Sequence, residues 1–202
     1  MELVLVDKSN YKEAIRIQKS IFPHEDGTLN VLASLDRDLF IKTTGMPYED
    51  DHIKYYLALV DGNYVGISGI YYYAFDTENA WLGWFGILPQ YRKKGYGSEL
   101  LLKTMEFASL KGFKNMRIYC DYVGDISGIH LYEKNGFIGE KYTYEKLAYD
   151  CRIYSKSLTG DKVTLWNNKN LNLSYQSKLD HMDNDKINEI VNIYDNMFKN
   201  IE

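Results

Sequence analysis

Arg92, Lys93 and Lys94 stand in a row directly before Gly95-Tyr96-Gly97-Ser98. Upstream lies an apolar run that reads as a strand, and downstream a pattern that reads as a helix. A helix start exposes backbone N–H groups that have no intrahelical partner. Those donors, together with the positive end of the helix, suit an anion, and the three basic side chains add cationic charge. Gly95 and Gly97 let the main chain approach a diphosphate with no Cβ in the way. The stretch therefore reads as a diphosphate cradle, with a basic surface turn as the plainer alternative. Two other phosphate motifs do not fit. A P-loop needs Gly-Lys-Ser/Thr, and Gly97 is followed by Ser98-Glu99; a G-x-G-x-x-G fingerprint would put glycine where Leu100 stands.

The elements that must position this turn follow from periodicity. Leu3–Val6 reads as a short strand. Asn10 with Glu13 resembles a capping box, and Tyr11, Ala14, Ile17 and Ile21 then recur at helical spacing up to Pro23. A second helix is expected from Thr28 as N-cap, with Leu29, Leu32, Leu35 and Leu39 as its stripe and Gly45 and Pro47 as its stop. Ile53–Val60 and Tyr64–Tyr73 flank Asp61-Gly62-Asn63, a hairpin signal because the turn needs positive φ. Ala80–Leu88 is apolar on both faces, which belongs in the middle of a covered sheet. Alternation puts Trp81, Gly83, Phe85 and Ile87 on one side and Leu82, Trp84 and Leu88 on the other.

Gly97–Lys111 reads as a helix with Leu101, Met105 and Ala108 inward and Gly112 just past its end. Asn115–Asp121 is the next strand, Ser127–Asn135 a short helix ending at Gly136, and Phe137–Tyr144 and Ala148–Ser157 two further strands. The order βααβββαβαββ is an antiparallel meander followed by a crossover. After Gly160 the pattern changes. Val163–Trp166 and Leu171–Tyr175 read as a small hairpin, and Ile187, Ile190, Val191, Tyr194, Met197 and Phe198 as an amphipathic helix after Asp183-Asn184-Asp185. Such a segment serves as an appendage packed on the domain, as a dimer contact, or as a wall of a substrate site.

Composition narrows the class. With 202 residues the chain suits one domain and an extension, and a fold of this size buries about 70% of its unfolded surface. The 15% aromatic content, including 19 Tyr, argues against disorder. A net charge of −4 gives no general attraction to phosphate backbones or anionic lipid, so neither nucleic acid nor a membrane is an expected partner. Cys120 and Cys151 make no disulfide framework and no metal site by themselves, which fits a reducing cytosol. The N-terminus lacks a signal-peptide pattern and no apolar run approaches ~18 residues. The expected setting is cytoplasmic, with no metal.

Arg92-Lys93-Lys94-Gly95-Tyr96-Gly97 resembles the R/Q-x-x-G-x-G/A motif of the GNAT superfamily of N-acetyltransferases. About 35 residues on, Ile129-His130-Leu131-Tyr132-Glu133-Lys134-Asn135-Gly136-Phe137 resembles the family's second signature, a helical Tyr followed by Gly-Phe. The resemblance spans roughly Leu3 to Ser157, which places a GNAT domain at 1–158 and a C-terminal extension at 159–202. It implies an α+β fold in three α/β/α layers: a mixed, mostly antiparallel twisted sheet with splayed central strands and helices on both faces.

The resemblance also implies acetyl-CoA as cosubstrate, held between the splayed strands. Main-chain groups of Phe85, Gly86 and Ile87 would bind the pantetheine arm like an added strand, and one N–H would polarise the thioester carbonyl. The N–H groups from Lys93 to Ser98 would hold the diphosphate. An amine would attack directly in a ternary complex, without an acyl-enzyme. Tyr132 matches the family's general acid, since an unperturbed phenol titrates near about 10 and is protonated at neutral pH. A helix Tyr packed under the sheet is the plainer reading. The family often has Asn seven residues before this Tyr, where this chain has Asp125, whose carboxylate would be repelled by phosphate.

The base is not carried by a motif. Asp121 at a strand end is the first candidate and Glu78 the second, while His130 and Cys120 read as structural. Trp84, Tyr73 and Tyr119, with Tyr71 and Tyr122, suit a cationic amine through their faces and a sheet core equally well. The expected acceptor is a small-molecule or peptide amine, and the assembly a monomer or homodimer. The functional alternatives are an acyl-CoA-binding sensor of the same fold without turnover and a protein whose basic turn is only structural.

Overall fold

The computed structural model describes residues 1–45, 53–121, 126–142, 151–167 and 182–199. Tyr122 and Asp125, the expected strand Leu171–Tyr175 and the flanks 143–150 of the last two strands lie outside them. The described strands are β1 (Glu2–Leu5), β2 (Lys54–Val60), β3 (Asn63–Tyr71), β4 (Asn79–Ile87), β5 (Asn115–Asp121), β6 (Ile138–Tyr142) and β7 (Cys151–Ser157). They form one sheet in the order β1-β2-β3-β4-β5-β7-β6. Only β4 and β5 are parallel; every other neighbouring pair is antiparallel. Asp61 and Gly62, both at positive φ, join β2 to β3 as the two-residue turn their sequence demands.

The helices are α1 (Tyr11–Ile21), α2 (Thr28–Leu35), α3 (Arg37–Thr44), α4 (Tyr96–Leu110), α5 (Ile126–Lys134) and α6 (Asn184–Lys199). One face of the sheet is covered by α1, α2, α3 and α6, whose Ile17, Leu32, Phe40 and Tyr194 share a core with Tyr55, Ile67 and Trp81. The other is covered by α4 and α5, whose Leu101, Met105 and Tyr132 meet Tyr56, Leu82 and Ile118. The result is the expected three-layer α+β architecture. No helix among the described residues is long and apolar enough to cross a membrane.

Four expectations need correction. Asn10 does not cap α1: its side chain bridges Asp7 N and Leu5 O, and Glu13 pairs with Arg16 instead. The expected single helix from Thr28 is two. Asp36 leaves helical φ/ψ and its carboxylate accepts from Leu39 N, so it caps a new helix inside the leucine stripe. Gly27, not Thr28, holds the N-cap position of α2. Val163–Trp166 is not a strand; its backbone is tied to side chains, Thr164 N to Asn115 and Trp166 N to Glu140. Trp166 is thereby sunk into the core, edge-on against Trp81.

α6 lies over α1 and α2. Tyr11 bonds Asp195 and meets Phe198 edge-on at 5.7 Å, while Lys12 Nζ lies 2.6 Å from Asp195 Oδ2. With the sheet beneath and α6 above, every residue of α2 from Thr28 to Ser34 is buried.

Candidate active site

β4 and β5 pair only at Asn79↔Asn115, Ala80↔Met116 and Trp81↔Arg117. Past these residues each strand follows its other neighbour. β3 stays with β4 as far as Ile87, and β7 stays with β5 as far as Asp121. The facing edges of Leu82–Ile87 and Ile118–Asp121 are therefore unladdered, and backbone N–H and C=O groups demand partners. A crevice lined by such edges suits an extended, amide-bearing chain.

A buried ion pair closes the paired end. Arg117, 1% exposed, has its Nε 3.8 Å from Asp76 Oδ2 and its Nη1 2.7 Å from Ser155 Oγ, with its guanidinium over the Trp166 ring. Burial pulls the Arg117 pKa down, while Asp76 and Glu140 act to raise it.

At the open end β4 carries a bulge. Gly83 pairs with Gly69 and Gly86 with Ile67, so Trp84 and Phe85 together oppose Ser68. The extra residue breaks the alternation read from sequence. Trp84 joins Trp81 on the α1/α2 face, and Phe85 joins Leu82 on the α4/α5 face. The bulge thus exchanges the layers that alternation gave these two side chains.

Beyond β4 a 3-10 turn, Pro89–Tyr91, leads into the basic stretch. Lys93 and Gly95 take positive φ, which turns the chain into α4. The first α4 donor bonded along the chain is Glu99 N, 3.1 Å from Gly95 O, so the N–H groups of Tyr96, Gly97 and Ser98 precede every intrahelical acceptor. No side chain caps them. Arg92 is anchored by Nε donating to Ile87 O at 2.9 Å, and Lys93 and Lys94 are exposed. An uncapped helix start beside one anchored and two exposed cations can hold a diphosphate.

Tyr132 approaches from α5, buried among Phe85, Phe137 and Tyr154 at ring separations of 6.4, 6.1 and 5.9 Å. The Gly-Phe that follows it is a helix stop. Gly136 N donates to Glu133 O, and Phe137 N reaches back to Tyr132 O. This is the Schellman pattern, and it folds the Phe137 ring onto Tyr132. The same closure at Gly112-Phe113 ends α4.

On the opposite face, the half-buried Trp84 donates its indole N–H to Asn30 Oδ1 at 3.1 Å and lies 5.0 Å from the Phe22 ring. The α1–α2 connection closes over it so tightly that a Cβ on Gly27 would sit 2.6 Å from Trp84 Nε1. Gln18 Oε1, Thr28 Oγ1 and Asn30 Nδ2 are enclosed there without a protein partner. Sequence reasoning missed these three. Gln18 carries a signal, since it falls four residues after Ala14 and seven after Tyr11, on the buried stripe of α1.

Tyr119 shares the Trp84 face, accepts from Cys151 Sγ at 3.1 Å and meets Tyr142 edge-on. Tyr73 is not brought to them: it is buried against Tyr71, Phe75 and Trp81, at the paired end of β4. Glu78 also sits at that end, exposed and ion-paired with Lys114, a strand length of roughly 25 Å from Ile87. Asp121 closes β5 opposite Cys151, and its side chain is outside the described part. His130 is exposed, and Cys120 is buried in the Tyr132 layer.

The acetyltransferase (GNAT) family model matches residues 12–137. No curated protein matches in sequence. Among solved structures, the chain is similar to spermidine N-acetyltransferase from Vibrio cholerae in complex with CoA and spermine, at 13% identity and TM-score 0.58, over 78% of this chain and 95% of that one. It is also similar to the ribosomal-protein-S18-alanine N-acetyltransferase from Escherichia coli, at 14% identity and TM-score 0.55, over 82% and 98%. A third is the Salmonella typhimurium acetyl transferase that modifies the N-terminal serine of ribosomal protein L7/L12, at 14% identity and TM-score 0.58, over 77% and 93%. At these identities the likeness establishes the fold. Taken with the family model, which spans the diverging strands, the uncapped α4 start and the Tyr132 helix, it shows that the chain belongs to the GNAT acetyltransferase family.

Proposed function

We propose that the protein is an acetyl-CoA-dependent N-acetyltransferase that acetylates a primary amine by direct attack. The observation carrying this is the parting of β4 and β5 beside an uncapped, cation-flanked helix start. The fit to the cosubstrate is specific. N–H groups from Lys93 to Ser98, with Arg92, Lys93 and Lys94, would hold the diphosphate, and main-chain groups of Phe85, Gly86 and Ile87 the pantetheine amides. When bound, the cosubstrate supplies an activated acyl carbonyl.

The chain's own residues then have two tasks. Tyr132, placed with Phe85 on one side of the bulge, would give its phenolic proton to the departing thiolate. Trp84 and Tyr119, on the other side, would present aromatic faces to a cationic amine, with Asp121 as the candidate base at the end of β5. One main-chain N–H at the bulge would polarise the carbonyl. Two opposed layers thus meet at one bond-forming point.

A panel of polyamines, amino acids, aminoglycosides and peptide amines, assayed by thiol release, identifies the acceptor. With an accepted amine, Tyr132→Phe is expected to lower kcat by about 10²–10⁴ while leaving acetyl-CoA affinity within about twofold. Full activity of that variant removes Tyr132 from the mechanism. Tight acetyl-CoA binding with no thiol release across the panel selects the sensor reading instead.

A further inference from the structure

At the end of α4 remote from the basic turn, a cavity of about 420 Å³ opens between the helix stop and the sheet. α4 is 15 residues long, so about 22 Å of helix separates the two. The floor is Tyr56 of β2 and Ile70 of β3, and the walls are Tyr72 and Phe113. The Gly112-Phe113 stop of α4 sets the Phe113 ring 5.6 Å from Tyr72, and Phe107 braces Tyr56 at 4.8 Å. The volume is that of a small-molecule site, and the aromatic lining suits a flat ring.

Charge decides what else the ligand carries. An aromatic cage by itself also welcomes a cation. Here, however, the lining includes Lys54 and Lys111. Lys54 Nζ is held by Ser34 O of α2 at 2.8 Å, so its charge is engaged, and Lys111 is exposed with Nζ 5.3 Å from the Phe107 centroid. Both carboxylates beside Thr77 are engaged elsewhere, Asp76 with Arg117 and Asn79, and Glu78 with Lys114. Burial pushes the Tyr56 phenol up, so it remains a donor. We propose that this cavity is a second ligand site that takes a small aromatic acid, its ring against Tyr72 and Phe113 and its carboxylate towards Lys111.

The test uses the full chain with CoA at saturation, and compares indole-3-acetate with its cationic counterpart tryptamine by calorimetry. Indole-3-acetate is expected to bind with CoA present, and tryptamine to show no binding that filling this cavity removes. Lys111→Glu, an exposed change, weakens the acid at least tenfold, and Thr77→Trp, which fills the mouth of the cavity, abolishes its binding; circular dichroism verifies that both variants are folded. Tryptamine binding that survives Thr77→Trp belongs to the acceptor site, whereas equal or tighter binding of tryptamine that Thr77→Trp abolishes overturns the proposal. So does displacement of the acid by CoA, an unchanged affinity in folded Lys111→Glu, or no binding of the acid at millimolar concentration.

Discussion

Trp84 and Phe85 are neighbours in sequence, yet one hydrogen-bonds towards α2 and the other lies against Tyr132. Adjacent strand residues face opposite layers in any case; the bulge at Ser68 decides which layer each one meets, and it has an energetic corollary at Asn30. That buried amide gives Trp84 its acceptor, so Asn30→Ala strands an indole N–H and is expected to cost about 1–3 kcal/mol in denaturant unfolding. Asn30→Asp, which keeps an oxygen in place, is expected to retain the Trp84 fluorescence environment that the alanine variant loses. Alternation in a strand is legible from sequence only while pairing is uninterrupted. Gly83 and Gly86 flank the bulge, but glycine inside a strand does not say which residue is the extra one, so Phe85 was expected on the Trp81 side. Tyr132 and the Gly95-Tyr96-Gly97 turn were legible because each sits in a motif whose spacing fixes local backbone geometry. Gln18, Thr28 and Asn30 were not, because what marks them is enclosure, which depends on three separate elements meeting.

Among the elements, glycine stops were the most readable: Gly112 and Gly136 each close a helix where the pattern ends. The break at Asp36 was hidden because Leu32, Leu35 and Leu39 keep helical spacing across it, and a cap changes backbone direction without changing the stripe. α2 was read only through its leucine stripe, although Thr-Leu-Asn-Val-Leu-Ala-Ser-Leu carries no charge on any side, and such a helix can be covered all round. The element that does the covering, α6, is fastened through Asp195. Burial favours the protonated form of Asp195, but hydrogen bonds from Lys12 and Tyr11 outweigh it and hold the carboxyl below its usual range. That lowered value adds stability above about pH 4, and the contribution is lost as pH falls through the folded-state value. Melting curves between pH 6 and pH 3 are thus expected to show an acid-labile component that Asp195→Asn removes, with a Tm at pH 6 about 2–6 °C lower than the parent's. Arg117 clamps the closed end of the sheet in a different way. Arg117→Leu leaves Asp76 buried without its cation and is expected to cost about 3–5 kcal/mol, measured by urea unfolding.

For the whole molecule, the sheet consists of two blades. One is β1 to β4, the other β5, β7 and β6, and the seam between them is three residue pairs long. Elsewhere in the sheet neighbouring strands are laddered over four to seven positions. A molecule lodged in the gap with amides of its own would stitch the blades together where the protein leaves them apart. Coenzyme A at a hundredfold excess over its Kd is expected to add about 2.7 kcal/mol, or roughly 5–10 °C in a thermal-shift assay. The persistence of the fold would then rise and fall with the supply of the coenzyme. Scarcity would thin out the catalyst as well as slow it, a form of metering that needs no dedicated regulator.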